Sequence, residues 1–196
     1  LTSVGSETKQ GTVTVDNVSF VNTIGIAPYN MVQFGGFEDT YADTSGSAMP
    51  GSVWQTTGAV GATLGATGGL FDQCLRITGN VNREQRVTQR INVIPEGAFD
   101  MTEPGTTVIS PVHFENRTFT VSGFAKANAP IANADALFSL SVAFYYHGES
   151  EPEIINYHFN KELSDWQFVS GTFTSPPNKQ VQYIDVSCVY ANQPNT

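Results

Sequence analysis

The sequence predicts an all-β protein, an antiparallel β-sandwich of jelly-roll type. Three observations predict it. Segments of alternating apolar and polar residues recur between turn signals along the chain. Val, Thr, Phe and Tyr are plentiful while Leu and Lys are scarce, which favours strands. No segment shows convincing helical periodicity. At 196 residues, with 40% hydrophobic and 14% charged residues, the chain can bury one sandwich core and has a surface rich in Thr, Ser, Asn and Gln. That composition suits an extracellular β protein.

The elements follow in order. Residues 1–10 are polar. Gly11–Phe20 (G-T-V-T-V-D-N-V-S-F) reads as a strand with Val13, Val15 and Val18 apolar, and Asp16-Asn17 breaks its alternation. Residues 21–30 read as a connector, and Asn30–Asp39 as the opening of a module. Residues 43–69, rich in Gly, Ser, Thr and Ala, read as a long loop around a short strand at Val53–Gln55. Cys74–Thr78 and Gln85–Val93 are strands; on the second, Val87, Ile91 and Val93 share a face with Gln89, opposite Arg86, Thr88 and Arg90. Prolines and glycines make 95–112 a second long loop, and long loops are candidates for function. Arg117–Lys126 points Phe119 and Val121 one way and Thr120, Ser122 and Phe124 the other. Ala136–Tyr146 is the most regular strand, with Phe138, Leu140, Val142 and Phe144 opposite Ser139, Ser141, Ala143 and Tyr145. The acidic turn H-G-E-S-E-P-E joins it to a hairpin partner at Ile154–Asn160. Trp166–Tyr190 reads as a closing hairpin interrupted at Pro176 and Pro177, which donate no amide hydrogen bond.

The net charge of -9 argues against nucleic acid and anionic membrane surfaces, which need basic patches. It permits a neutral ligand or a divalent cation. No apolar run reaches the length of a membrane span, and no signal peptide is visible; with Leu1 in place of a start methionine, a fragment of a longer protein is expected. Cys74 and Cys188 lie outside any C-x-x-C or C-x-x-H pattern, so zinc is not expected; they read as small core residues, with a disulfide between them as the alternative.

Sugars are held by aromatic rings against their C–H faces and by planar polar groups on their hydroxyls. Arg86, Arg90, Phe124, Tyr145, Asn156, His158 and Tyr183 are the outward strand positions that supply such groups. Trp54 and Trp166 are assigned to packing. None of His113, His147 and His158 has metal-ligand spacing, and there is no G-x-S-x-G elbow or phosphate loop. Glu149, Glu151 and Glu153 read as solvated turn charge, although paired carboxylates can hydrolyse glycosides. A non-enzymatic protein is expected.

Several motifs occur in a familiar order: F-G-G-F-E-D at 34–39, W-Q at 54–55, C-L-R-I-T-G at 74–79, T-F-T-V-S-G-F-A-K-A at 118–127 and W-Q-F-V-S-G-T-F at 166–173. Over residues 30–196 the chain resembles the galactose-binding-like jelly rolls among carbohydrate-binding modules, of the kind found in YD-repeat (Rhs-like) wall proteins of Gram-positive bacteria. The resemblance implies a secreted or cell-wall-associated binding module for a cell-wall or host polysaccharide, beside neighbouring modules of the same polypeptide. The alternatives are a spacer or adhesion domain and, third, a glycoside-active enzyme. It also implies a structural Ca²⁺ on Glu38 and Asp16, with Asp39 nearby, since Ca²⁺ takes hard oxygen ligands. Such modules end on an aromatic-Asp-(Asp/Asn)-hydrophobic strand that is missing after Tyr190, while T-V-D-N-V-S-F at 14–20 matches it. Residues 1–29 are therefore either the last strand and connector of a preceding module, or the filler of the vacant slot in the 30–196 sandwich. The filler could act within the chain or in a strand-swapped dimer; slot filling is the preferred reading.

Overall fold

A computed structural model of the chain describes residues 11–22, 29–37, 54–57, 61–80, 83–92 and 117–191. Within them the protein is an antiparallel β-sandwich of jelly-roll type, without a helix. The strands are β1 (Thr12–Asn22), β2 (Tyr29–Asn30), β3 (Trp54–Thr57), β4 (Ala62–Thr67), β5 (Gln73–Thr78), β6 (Gln85–Asn92), β7 (Thr118–Ala127), β8 (Leu137–Tyr146), β9 (Glu153–His158), β10 (Gln167–Thr174) and β11 (Val181–Ala191). The first sheet runs β10-β7-β1-β5-β4, with β2 paired to β1; the second runs β3-β6-β11-β8-β9.

β1 lies inside the first sheet, hydrogen-bonded to β7 on one side and β5 on the other. Its sequence explains how it fits. Val13 and Val15 face the core at the period of two, but Val18 and Phe20 would then point outward. A bulge between Asp16 and Ser19, with Asn17 at a φ of 48°, shifts the phase by one residue. All four side chains are then buried and the Asp16 side turns away from the core. The break in alternation at Asp16-Asn17 is therefore a register device. Beside it, the Val18 amide donates to the Gly35 carbonyl at 2.8 Å. The approach is so close that a Cβ at Gly35 would stand 1.9 Å from the Val18 oxygen.

The core between the sheets is aromatic. Phe20 stacks on Phe119 at 5.2 Å, and Phe144 contacts Phe119 at 5.7 Å and Phe173 at 4.3 Å between ring centres. Ile184, Val186, Cys188 and Tyr190 face it from β11 with no exposed surface. Both cysteines are buried, and no disulfide joins them. Cys188 sits in the core, where burial pushes its thiol up to about 12, and the Cys74 thiol donates to the Ala66 carbonyl at 3.0 Å.

Two expectations are corrected. The Trp166–Tyr190 segment is not a hairpin: β10 pairs with β7 in the first sheet and β11 with β6 and β8 in the second. Alternation gives a strand its faces but not its partner, and the Pro176-Pro177 stretch carries the chain from one sheet to the other. Within 43–69, residues 62–67 form a second strand, β4, paired with β5 through an irregularity at Thr63–Ala66, where Gly65 has a φ of 66°. Its two alanines and one glycine, residues depleted in strands, weaken the strand signal of A-T-L-G-A-T, and the partner strand supplies the order.

The two sheets are tied at one end by β9 and β10. Tyr157 lies over Gly171, where a Cβ would come 1.8 Å from its ring, and its hydroxyl donates to the Thr172 carbonyl at 3.2 Å. Gln167 exchanges two hydrogen bonds with the backbone of Asn160, at 2.6 and 2.9 Å. Among the described residues no helix is long and apolar enough to cross a membrane.

Candidate functional site

Six of the seven outward residues singled out above come together on the outer face of the second sheet. Its strand registers build that face row by row. Arg90, Asp185, Ala143 and Ile154 stand side by side across β6, β11, β8 and β9. Tyr183 lies opposite both Asn92 and Tyr145, and on the other side Arg86, Val189, Ser139 and His158 form a row. Between these runs a row of hydrogen-bonding side chains, Gln55, Thr88, Ser187, Ser141 and Asn156.

At one end of the face is a fixed cluster. Arg90 donates from Nε and Nη2 to the two oxygens of Asp185, both at 2.8 Å. The same guanidinium lies 3.9 Å from the centre of the Tyr183 ring, and Tyr183 stacks on Tyr145 at 4.2 Å with 23° between the planes. A planar, two-point carboxylate contact and a ring beneath it hold the guanidinium in one orientation. The hydrogen bonds it donates to Asp185 raise the Arg90 pKa above its already high value, so its charge is permanent. Burial, then the Asp185 charge, raises the Tyr145 phenol, which keeps it a neutral hydroxyl at working pH. Arg86 is paired differently, its Nε donating to Glu84 at 2.7 Å. Asn156 and His158 are exposed on the far side of the face.

The middle of the face is buried, Val189 and Ala143 included. Ser139, Ser141 and Ser187 are each 1% exposed. Ser187 Oγ is 2.9 Å from Thr88 Oγ1, whereas Ser139 Oγ and Ser141 Oγ have no hydrogen-bond partner.

Phe124 is not brought to this face. It lies on the outer side of the first sheet, against Phe168 with ring centres 4.9 Å apart. Lys126 Nζ sits 4.8 Å above the Trp166 ring in the neighbouring row. Trp54 is a packing residue, as expected: it is buried against Phe37 at 5.3 Å, and its indole donates to the Gln33 and Phe34 carbonyls. Gln89, buried behind β6, exchanges two 2.8 Å bonds with the backbone of Gln33 and so fixes the same loop.

Of the three acidic residues implied for Ca²⁺, Glu38 and Asp39 lie outside the described residues. Asp16 is fully buried on the outer side of β1. Its Oδ1 accepts the Asn17 amide at 2.7 Å, and its Oδ2 accepts the Leu70 and Phe71 amides at 2.7 and 3.3 Å. An ionised carboxylate has about four acceptor sites, so Asp16 retains about one for a cation. Among the described residues no group of three or more His, Cys, Asp and Glu is poised for a metal. In the acidic turn, Lys179 pairs with Glu149 at 3.0 Å and the Tyr146 hydroxyl donates to Glu153 at 2.8 Å, so two of the three glutamates have structural partners. His113 lies outside the described residues.

Sequence reasoning missed Asp185, the group that orients Arg90. Alternation along β11 was the available signal, since Asp185 lies two residues from Tyr183 on the outward side. Compared with protein-family models, with characterised proteins and with solved structures, the chain matches none.

Proposed function

We propose that this β-sandwich is a non-catalytic binding module for a polysaccharide of a cell wall or host surface, in a secreted or wall-associated protein. The observation that supports it is the gathering of Arg90, Asp185, Tyr145, Tyr183, Asn156 and His158 on one outward face. Aromatic surface and oriented planar polar groups, held rigidly by strands, are what sugar recognition requires. The test is affinity electrophoresis of the 196-residue chain through gels containing soluble polysaccharides. Wild-type protein is expected to be retarded, and a Tyr145→Ala/Tyr183→Ala variant to migrate freely; equal retardation of both moves the site off this face.

A structural Ca²⁺ belongs to the same reading, with Glu38 and Asp39 supplying charge and Asp16 one remaining acceptor site. EDTA is then expected to lower the Tm and added CaCl₂ to restore it, because an ion that binds only the folded state stabilises it. An unchanged Tm removes calcium and leaves the polysaccharide reading intact.

A second reading, a spacer or adhesion domain within a multimodular chain, is favoured by the opposite face. There Phe168 and Phe71 are 55% and 67% exposed. Exposed apolar side chains of this kind suit a contact with a neighbouring module.

A further inference from the structure

We infer that β10 is the contact strand of a homodimer, in which two copies of the chain pair their β10 strands antiparallel and run their first sheets into one. The sandwich is unfinished on that side. β10 ends the first sheet and β9 ends the second, and the two lie together. On β7, one strand further in, Phe119, Val121, Ala125 and Ala127 are buried. Val169 and Phe173 on β10, and Ile155 and Tyr157 on β9, pack against the core but are only half-buried. Apolar surface left partly open along one side of a core is what a second copy would cover.

The edge also offers backbone hydrogen bonds. Among the described residues β10 pairs with β7 alone, in unbroken register from Gln167 to Thr174. In an antiparallel ladder, successive residues turn their amide and carbonyl toward the partner and away from it by turns. The Thr172 carbonyl accepts the Tyr157 hydroxyl from β9, so it points away from β7. Phe168, Ser170 and Thr174 share its phase, and their side chains are exposed on the outer face. Edge strands that resist pairing are short, bulged or charged. The other sheet ends fit that description: β3 has four residues, β4 is irregular between Thr63 and Ala66, and β9 has six residues and begins at Glu153. β10 (Q-F-V-S-G-T-F-T) has eight residues with no charge, no proline and no register shift.

Charge makes a second copy the occupant and fixes its direction. Two chains of net charge -9 repel one another, and β10 is an uncharged strip along which they can meet. The turn before it exposes Glu162 and Asp165. Antiparallel pairing sets that turn of one copy beside residues 174–178 of the other, which carry no charge and lead to Lys179. Parallel pairing would set the acidic turn against itself. A two-fold axis beside Gly171 brings Phe168 opposite Thr174 and Ser170 opposite Thr172, which uses every outward-turned backbone group of the strand. Such a contact closes after two copies. The Tyr157 hydroxyl competes for one carbonyl of the edge, so the pairing is reversible.

The test is sedimentation of the 196-residue chain over a wide range of concentration, for wild type, Ser170→Lys and Tyr157→Phe, with the Tm of each measured at a concentration where it is monomeric. Wild type is expected to pass from monomer to dimer and no further. Ser170 is exposed, so a lysine there should leave the monomer's Tm unchanged while weakening the dimer about tenfold or more. Tyr157→Phe keeps the ring over Gly171 and releases the Thr172 carbonyl, so its dimer should be about fivefold tighter or more. Hydrogen exchange at the Ser170 and Thr172 amides should slow as wild type dimerises. A wild type that stays monomeric throughout overturns the inference. A dimer equally tight in Ser170→Lys places the contact off β10 and also overturns it, and species larger than a dimer overturn the closed two-fold. These outcomes are independent of the polysaccharide reading, whose site is on the other sheet.

Discussion

A chain beginning at residue 30 is expected not to fold. It lacks β1, which stands between β7 and β5 in the first sheet. Removing β1 takes Val13, Val15, Val18 and Phe20 from the core. At about 1.5–3 kcal/mol for each buried side chain, the loss is about 6–12 kcal/mol. That is comparable with the whole stability of a typical domain, about 5–15 kcal/mol. Two inner strand edges would also be left with unpaired amides and carbonyls. Circular dichroism should show no cooperative thermal transition for the truncated chain and one for the full chain. A cooperative transition in both would mean that β1 is dispensable.

The second large effect is expected from Phe144→Ala. Phe144 has no exposed surface and sits among the rings of Phe20, Phe119 and Phe173. It thereby joins β8 of the second sheet to β1, β7 and β10 of the first. Truncating a buried phenylalanine costs about 3–5 kcal/mol, the transfer term plus the cavity left behind. The neighbouring rings belong to three different strands, so the space cannot be refilled by a single rotamer change. Chemical denaturation should show a lower midpoint with an unchanged m-value. A loss below about 1 kcal/mol, the usual size for an isosteric swap, would mean that the core collapses around the site.

Much of the fold was legible because strand faces are written at a period of two. The ten residues of β7 alternate without fault between half-exposed and buried, and the inner face of β8, Phe138 to Phe144, is the one expected from the sequence. Partners were less legible than faces. β10 and β11 are adjacent in sequence and regular, yet they pair in different sheets. The pairing depends on which neighbours complete the core, and a single strand does not encode that. β4 was missed because two alanines and a glycine, residues depleted in strands, make up half of its six residues.

The candidate site shows the same division. Arg86, Arg90, Tyr145, Asn156, His158 and Tyr183 were legible as outward-pointing residues, and the sheet gathers them. Phe124 points outward equally well but from the other sheet, a difference that alternation cannot express. Asp185 escaped notice because its role arises from a neighbour, Arg90 in the adjacent strand. Calcium rested on Asp16, Glu38 and Asp39, of which only Asp16 is among the described residues. There the carboxylate holds the Leu70 and Phe71 amides across the outside of β1, a use that its sequence context does not announce.

The most direct test of the central claim is an amide chemical-shift titration of the isotopically labelled chain with a soluble polysaccharide. The account predicts concentration-dependent shifts clustered on Arg90, Ser141, Tyr145, Asn156, Tyr183 and Asp185, with Phe124, Phe168 and Trp166 on the opposite face unchanged. Shifts confined to that opposite face, or no shifts with any polysaccharide that retards the protein in gels, would contradict it.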